Sequence, residues 1–207
     1  MSRGVRAIDT RHGPARIHRL SSARGGAPTL VLGHGAGGGV EATDLRAIGS
    51  ALGAAGVGVV LVEQPWRVSG RRVAPRPLVL DEAWTDAVRA LRPRGPLVVG
   101  GRSAGARVAC RTASEVGAVG VLALAFPLHP PGRPERSRAD ELADCAVPVL
   151  VIQGSRDPFG TAGEVAATGL PIRVVEVPGG DHGLARADLS PALVDVRDWL
   201  GHVGPRE

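Results

Sequence analysis

Leu97-Val98-Val99-Gly100-Gly101-Arg102-Ser103-Ala104-Gly105-Ala106-Arg107-Val108-Ala109 is the stretch on which the reading of this chain turns. Its apolar opening, Leu97 to Val99, has no polar neighbour and predicts a strand buried on both faces, while the Ala-rich segment after the glycine pair has helical character. Between them Gly101-x-Ser103-x-Gly105 fits the G-x-S-x-G elbow, a sharp strand-to-helix turn that holds a serine hydroxyl proud of the sheet edge. Glycine is required two residues to either side because a side chain there would strike neighbouring backbone. In a chain with 30 glycines the pattern is weak by itself. A serine at the head of a helix can equally be its cap, so the other parts of a catalytic site have to be found elsewhere.

The 207 residues suffice for one full-sized domain, and no linker-like or low-complexity segment divides residues 1–207. No apolar run approaches the roughly eighteen residues of a membrane helix. Residues 1–9 lack the apolar centre of a signal peptide, so a cytoplasmic protein is expected. Cys110 and Cys145 lie far apart in sequence with neither metal-ligand nor redox spacing, and are expected to be buried reduced thiols. The net charge of +5 is carried entirely by arginine, with no lysine in the chain. Such one-sided usage, with only 2% aromatic residues to stack on bases, argues against a nucleic-acid partner.

Taken in order, residues 5–8 and 15–20 read as an antiparallel hairpin at a sheet edge. Strands follow at 29–32, 57–62, 97–99, 119–125, 147–152 and 172–177. Helices are predicted at 43–55, capped by Thr43 or Asp44, at 81–91 with acids in the first turn, after the elbow, at 139–145, 161–168 and 191–202. Residues 63–78 and 126–138, rich in Pro and Arg, have loop chemistry. Strands that alternate with helices demand a mostly parallel sheet of about seven or eight strands with helices on both faces.

In such a sheet, sites form beyond the carboxyl ends of the strands. Ser103, Asp157 and His182 all fall there, in that order. A serine hydroxyl becomes a useful nucleophile when an imidazole accepts its proton, and a carboxylate then orients the imidazole and stabilises its cation. Each residue has a plainer explanation: Asp157 before Pro158 as a turn former, His182 as a surface histidine paired with Asp181. Their joint placement favours chemistry. The loop His34-Gly35-Ala36-Gly37-Gly38 supplies a fourth part. An oxyanion needs the amide after the nucleophile, that of Ala104, and one from an earlier strand's loop, Ala36 or Gly37.

With these parts in place, the chain resembles the α/β-hydrolase fold family in a small form without a cap domain. More narrowly it is similar to the dienelactone-hydrolase-related branch and to small hydrolase-like domains of a testis-expressed protein and a chromatin acetyltransferase-complex subunit. The segments that carry this are Gly33-His34-Gly35-Ala36-Gly37, Gly100-Gly101-Arg102-Ser103-Ala104-Gly105, Phe126-Pro127-Leu128-His129-Pro130 and Gln153-Gly154-Ser155-Arg156-Asp157. The resemblance implies hydrolysis of a carboxylic ester, lactone or thioester bond of a small acyl substrate through an acyl-enzyme, with no metal and no cofactor. Arg71, Arg72 and Arg76, with Arg133, Arg136 and Arg138, are expected to line the mouth and favour anionic substrates.

Two other readings remain open. A hydrolase fold without turnover could serve as an interaction module. Gly33-x-Gly35-x-x-Gly38 also meets the dinucleotide fingerprint, with Glu63 ending the next strand as a ribose-binding acid of an NAD(P) oxidoreductase. Against the latter, the helix begins only near Thr43, too late for its N-terminus to meet a pyrophosphate.

Overall fold

A single eight-stranded sheet carries the chain, in the order β1-β2-β4-β3-β5-β6-β7-β8. This is seen in a computed structural model that describes residues 4–184 and 186–203. The strands are β1 Val5–Thr10, β2 Gly13–Ser21, β3 Thr29–Gly33, β4 Gly58–Glu63, β5 Leu97–Arg102, β6 Gly120–Leu124, β7 Val149–Gly154 and β8 Arg173–Val177. β1 and β2 are antiparallel to their neighbours and all later pairs are parallel. The helices are α1 Thr43–Ala54, α2 Pro65–Val68, α3 Pro77–Arg89, α4 Ala104–Thr112, α5 Ala139–Ala143, α6 Ala162–Ala166 and α7 Ser190–His202.

The central strands are buried along their whole length, as expected of a sheet covered on both faces. Alternate residues feed two cores. Leu30 and Leu32 pack with α1 and α7, whereas Val31 and Val99 pack with α3 and α4. The chain reverses its winding at β3, which pairs with β4 on one side and with β5 on the other. A crevice therefore opens between the carboxyl ends of β3 and β5, the position at which open α/β sheets bind ligands.

Three local expectations are corrected. The head of α1 is Ala42 without any side-chain cap, so neither Thr43 nor Asp44 serves as one. Asp44 is instead buried. The Pro/Arg-rich stretch 63–78 is not wholly loop: Pro65 starts the one-turn helix α2, and Pro77 starts α3 four residues ahead of the expected 81. Proline at the first helical position gives up an amide that has no partner there anyway and presets φ. As a result the acids of α3 lie past its first turn. Cys110 is buried as expected, but Cys145 is only half-buried, and the two, distant in sequence, meet in space. The Cys110 thiol is pushed well up, first by its contact with Cys145 and then by burial, whereas the hydrogen bond from Cys110 brings Cys145 down to about 7. Among the described residues no helix is long and apolar enough to cross a membrane, and no cluster of ligand side chains could hold a metal. Residues 1–3 of the stretch read for a signal peptide lie outside the described residues.

Candidate active site

Ser103 stands between β5 and α4 with φ 52° and ψ −111°, an unusual backbone for a residue with a side chain. Such a conformation costs on the order of 1–3 kcal/mol and persists only where the surroundings enforce it. The glycines of the elbow enforce it here. A Cβ on Gly105 would come within 2.5 Å of the Gly33 carbonyl oxygen, and one on Gly101 within 2.4 Å of the same atom. The Ser103 amide donates to Leu124 O at 2.9 Å. Its side chain makes no capping bond to α4, so the reading of Ser103 as a simple helix cap does not hold.

Instead the hydroxyl lies 2.9 Å from His182 Nε2. On its far side His182 Nδ1 is 2.9 Å from Asp157 Oδ2 and 3.1 Å from Oδ1. Ser103, His182 and Asp157 thus form one continuous hydrogen-bonded chain across the ends of β5, β7 and β8. With Asp157 as the acceptor, Nδ1 carries the proton and Nε2 is left to accept from the serine hydroxyl. Asp181 does not pair with His182; its carboxylate accepts the amide of Gly183.

The carboxylate is itself held. Asp157 is 2% exposed, and its Oδ1 accepts the Phe159 amide at 2.8 Å, the turn-forming bond anticipated for an Asp before Pro158. The turn former and the partner of His182 are the same side chain. Gln153, fully buried at the end of β7, donates Nε2 to Asp157 Oδ2 at 3.0 Å and to the carbonyls of Phe126 and Gly160. Phe159 stacks on the imidazole, ring centroids 4.1 Å apart. Neither Gln153 nor Phe159 has a role in the sequence reading, because both act through contacts between distant segments.

Arg102, the residue just before the serine in the elbow, is another side chain without a role in the sequence reading. Its Nη2 donates to the carbonyl oxygen of His182 at 3.1 Å, and its Nε lies 3.2 Å from the buried carboxylate of Asp44. A Cβ on Gly35 would lie 3.4 Å from its Nη1. One guanidinium thus ties the histidine loop and α1 to the elbow. Burial pushes the Asp44 carboxyl up, and the charge of Arg102 opposes that rise.

Ala104 opens α4, where an amide has no partner inside the helix. Ala36 and Gly37, in the loop after β3, are exposed, and among the described residues their amides donate to no other protein group. Ala36 and Ala104 both border a small cavity of about 10 Å³, room for one water molecule, beside the elbow. His34 shapes that loop: Nδ1–H donates to Gly35 O at 2.9 Å, and Nε2 accepts the Gln64 amide at 3.2 Å. Burial lowers its pKa, which keeps the ring neutral.

The arginines expected at the mouth lie apart from this cavity. Arg71 lines a separate cleft of about 360 Å³, divided from the elbow cavity by Gln64 and Trp66, and Arg72 lines neither. Arg138 is occupied by the Pro127 carbonyl at 2.8 Å, while Arg76, Arg133 and Arg136 are exposed. Glu63, the candidate ribose-binding acid, pairs with His18 of β2 at 3.3 Å, and α1 begins at Thr43, too far along for a pyrophosphate at Gly38.

The sequence matches the alpha/beta hydrolase domain family over residues 26–195. No curated protein matches it. Among solved structures it is similar to a serine hydrolase without lid from Xanthomonas campestris, at 23% identity over 97% of this chain and 92% of that one, TM-score 0.72. It is similar also to an alpha-beta serine hydrolase homologue from Coxiella burnetii, at 17% identity over 98% and 97%, TM-score 0.75. A thermophilic esterase from Thermogutta terrifontis aligns at 17% identity over 98% and 100%, TM-score 0.73. At these identities the likeness is one of fold.

Proposed function

The chain belongs to the alpha/beta hydrolase domain family, and from that premise we propose that it is a serine hydrolase that cleaves an ester, lactone or thioester of a small acyl substrate through an acyl-enzyme. The observation that carries this reading is the unbroken chain from Ser103 Oγ through His182 to Asp157, with both links at 2.9 Å. The family's dienelactone-hydrolase-related branch is the one whose segments this sequence most resembles.

In the proposed reaction Ser103 Oγ attacks the acyl carbon and its proton passes to His182 Nε2, while Asp157 stabilises the resulting imidazolium. The carbonyl oxygen gains the electron pair and is met by the amides of Ala104 and of Ala36 or Gly37. As that pair returns, the bond to the leaving oxygen or sulfur breaks, and His182 gives its proton to the departing group. Water then repeats the sequence on the acyl-serine: its proton goes to His182, its oxygen bonds to the acyl carbon, and Ser103 leaves with the proton restored.

A fluorophosphonate probe tests this reading. Ser103 takes the label if the relay operates, and Ser103→Ala removes labelling and lowers kcat by roughly a millionfold with the circular dichroism spectrum unchanged. A wild-type protein that neither labels nor turns over chromogenic esters would be an interaction module on the same fold.

A further inference from the structure

The proposed hydrolysis uses neither cysteine, yet the fold brings the two together. Cys110 lies in the last turn of α4, about two helical turns beyond Ser103, and is 4% exposed. Cys145 follows Asp144, the residue that ends α5, and is half-buried beside the exposed Ala143, Asp144 and Ala146. Both side chains pack into one core cluster, and the Cys110 thiol donates a hydrogen bond to the Cys145 sulfur. We infer that Cys110 and Cys145 are a redox pair, in which a peroxide oxidises Cys145 and Cys110 then closes a disulfide that a dithiol can reopen.

The meeting of the thiols is built into the packing of two helices. Glu141 of α5 accepts Arg107 Nε at 2.8 Å and Arg111 Nη1 at 3.0 Å, both from α4. Leu142, 1% exposed, sits in the cluster that holds Cys110. Sulfurs already in contact have only about 2 Å to travel to the bonded separation of about 2.05 Å. A structural metal would need more ligands than these two, and among the described residues no group of three ligand side chains exists.

The surroundings divide the labour. The hydrogen bond from Cys110, helped by one from the Val147 amide, brings Cys145 down to about 7 against the effect of burial. Cys145 is therefore the thiol that is both ionised near neutral pH and open to a small oxidant. Cys110, covered and held protonated by its contact with Cys145 and by burial, is the partner that waits; the charges near it, Glu141 of α5 and Arg111 of α4, act in opposite senses. In the first step the Cys145 thiolate attacks one oxygen of hydrogen peroxide. The O–O bond breaks, sulfur is oxidised to a sulfenic acid, and the other oxygen leaves as hydroxide, which takes a proton from solvent to become water. In the second, the Cys110 sulfur attacks the Cys145 sulfur, the S–O bond breaks, and the departing hydroxide leaves as a second water with the Cys110 proton. Two thiols and one peroxide give one disulfide and two waters.

The test treats the full reduced chain with hydrogen peroxide near neutral pH and maps its peptides by mass without reduction. We expect a cross-link between Cys110 and Cys145 within a single chain, reversed by dithiothreitol, and a Tm higher by about 5–10 °C in the oxidised form, because the bond closes the loop of residues 111–144. Alkylation of Cys145 by iodoacetamide should rise with pH about a midpoint near 7. Cys110→Ala should abolish the cross-link and move that midpoint up toward the ordinary thiol value of about 8.5, whereas Cys110→Ser, which keeps a donor, should hold it lower than Cys110→Ala does. In Cys145→Ala, peroxide should oxidise Cys110 at least about tenfold more slowly than it oxidises Cys145 in the wild type. Sulfinic acid at Cys145 without a cross-link, disulfides formed only between chains, or a Tm that falls on oxidation would each overturn the inference. So would a Cys110 that reacts in Cys145→Ala as fast as Cys145 does in the wild type. None of these readouts involves Ser103, so the inference stands or falls apart from the hydrolase reading.

Discussion

At the β5 margin of the crevice backbone meets backbone: Gly101 and Gly105 close on the carbonyl of Gly33, and the strained Ser103 is held between them. At the β4 margin, from Gln64 to Leu80, side chains do the shaping. Trp66 leans on His34 with ring centroids 5.5 Å apart, Gln64 reaches Leu80, and Arg71 and Arg72 point their charge outward from exposed positions. Excluded volume tolerates no substitution, so the first margin is written in residue types that pattern recognition can find. The second margin could be built from many residue combinations, so no pattern announces it.

The sharpest way to break this contrast is Gly105→Val. A side chain placed 2.5 Å from the Gly33 oxygen should cost roughly 3 kcal/mol or more, lowering Tm by roughly 6–12 °C for a domain of this size. Tolerance of the change in a thermal melt would mean that the elbow is held by something other than contact.

Arg102→Met tests whether charge joins contact at the same margin. It leaves the 2%-exposed Asp44 side chain without its cation, a loss of roughly 3 kcal/mol, and frees the carbonyl of His182. Pairing it with Asp44→Leu removes the stranded carboxylate. Stability should recover while kcat stays depressed, because the clasp on the histidine loop is still missing. Recovery of kcat alongside Tm would reduce Arg102 to a stabilising residue.

Gln153→Leu keeps the volume and deletes the donor that steadies Asp157. A displaced carboxylate should lower kcat by up to about a hundredfold with KM little altered, measured on any ester that turns over. The smallest effect belongs to the other margin: Arg71→Gln and Arg72→Gln should each shift stability by less than about 0.5 kcal/mol. A larger shift in the melt would show these exposed side chains engaged in the fold.

How much of this was legible follows the same division. The elbow glycines, the three residues at the strand ends and the glycine loop announce themselves through spacing, because tight turns admit few residue types. Gln153, Arg102 and Phe159 act through distances between segments, and nothing in their local sequence separates them from ordinary core or surface residues. The contact of Cys110 with Cys145 was hidden for that reason too: α5 folds back on α4, where Arg107 and Arg111 both grip Glu141, and sequence separation says nothing of it. α2 was missed because three prolines amid arginines look like loop, although proline is well suited to a helix's first position.

One asymmetry of the sheet bears on endurance. β8 has a single hydrogen-bonded neighbour and is only partly covered, with Val177 its one buried residue; the imidazole follows directly after it. Marginal strands are the first to fray as temperature rises. Warming should therefore unhook His182 from Ser103 while the central strands are still paired, and under the proposed function heat inactivation would precede melting, reversibly so on brief exposure.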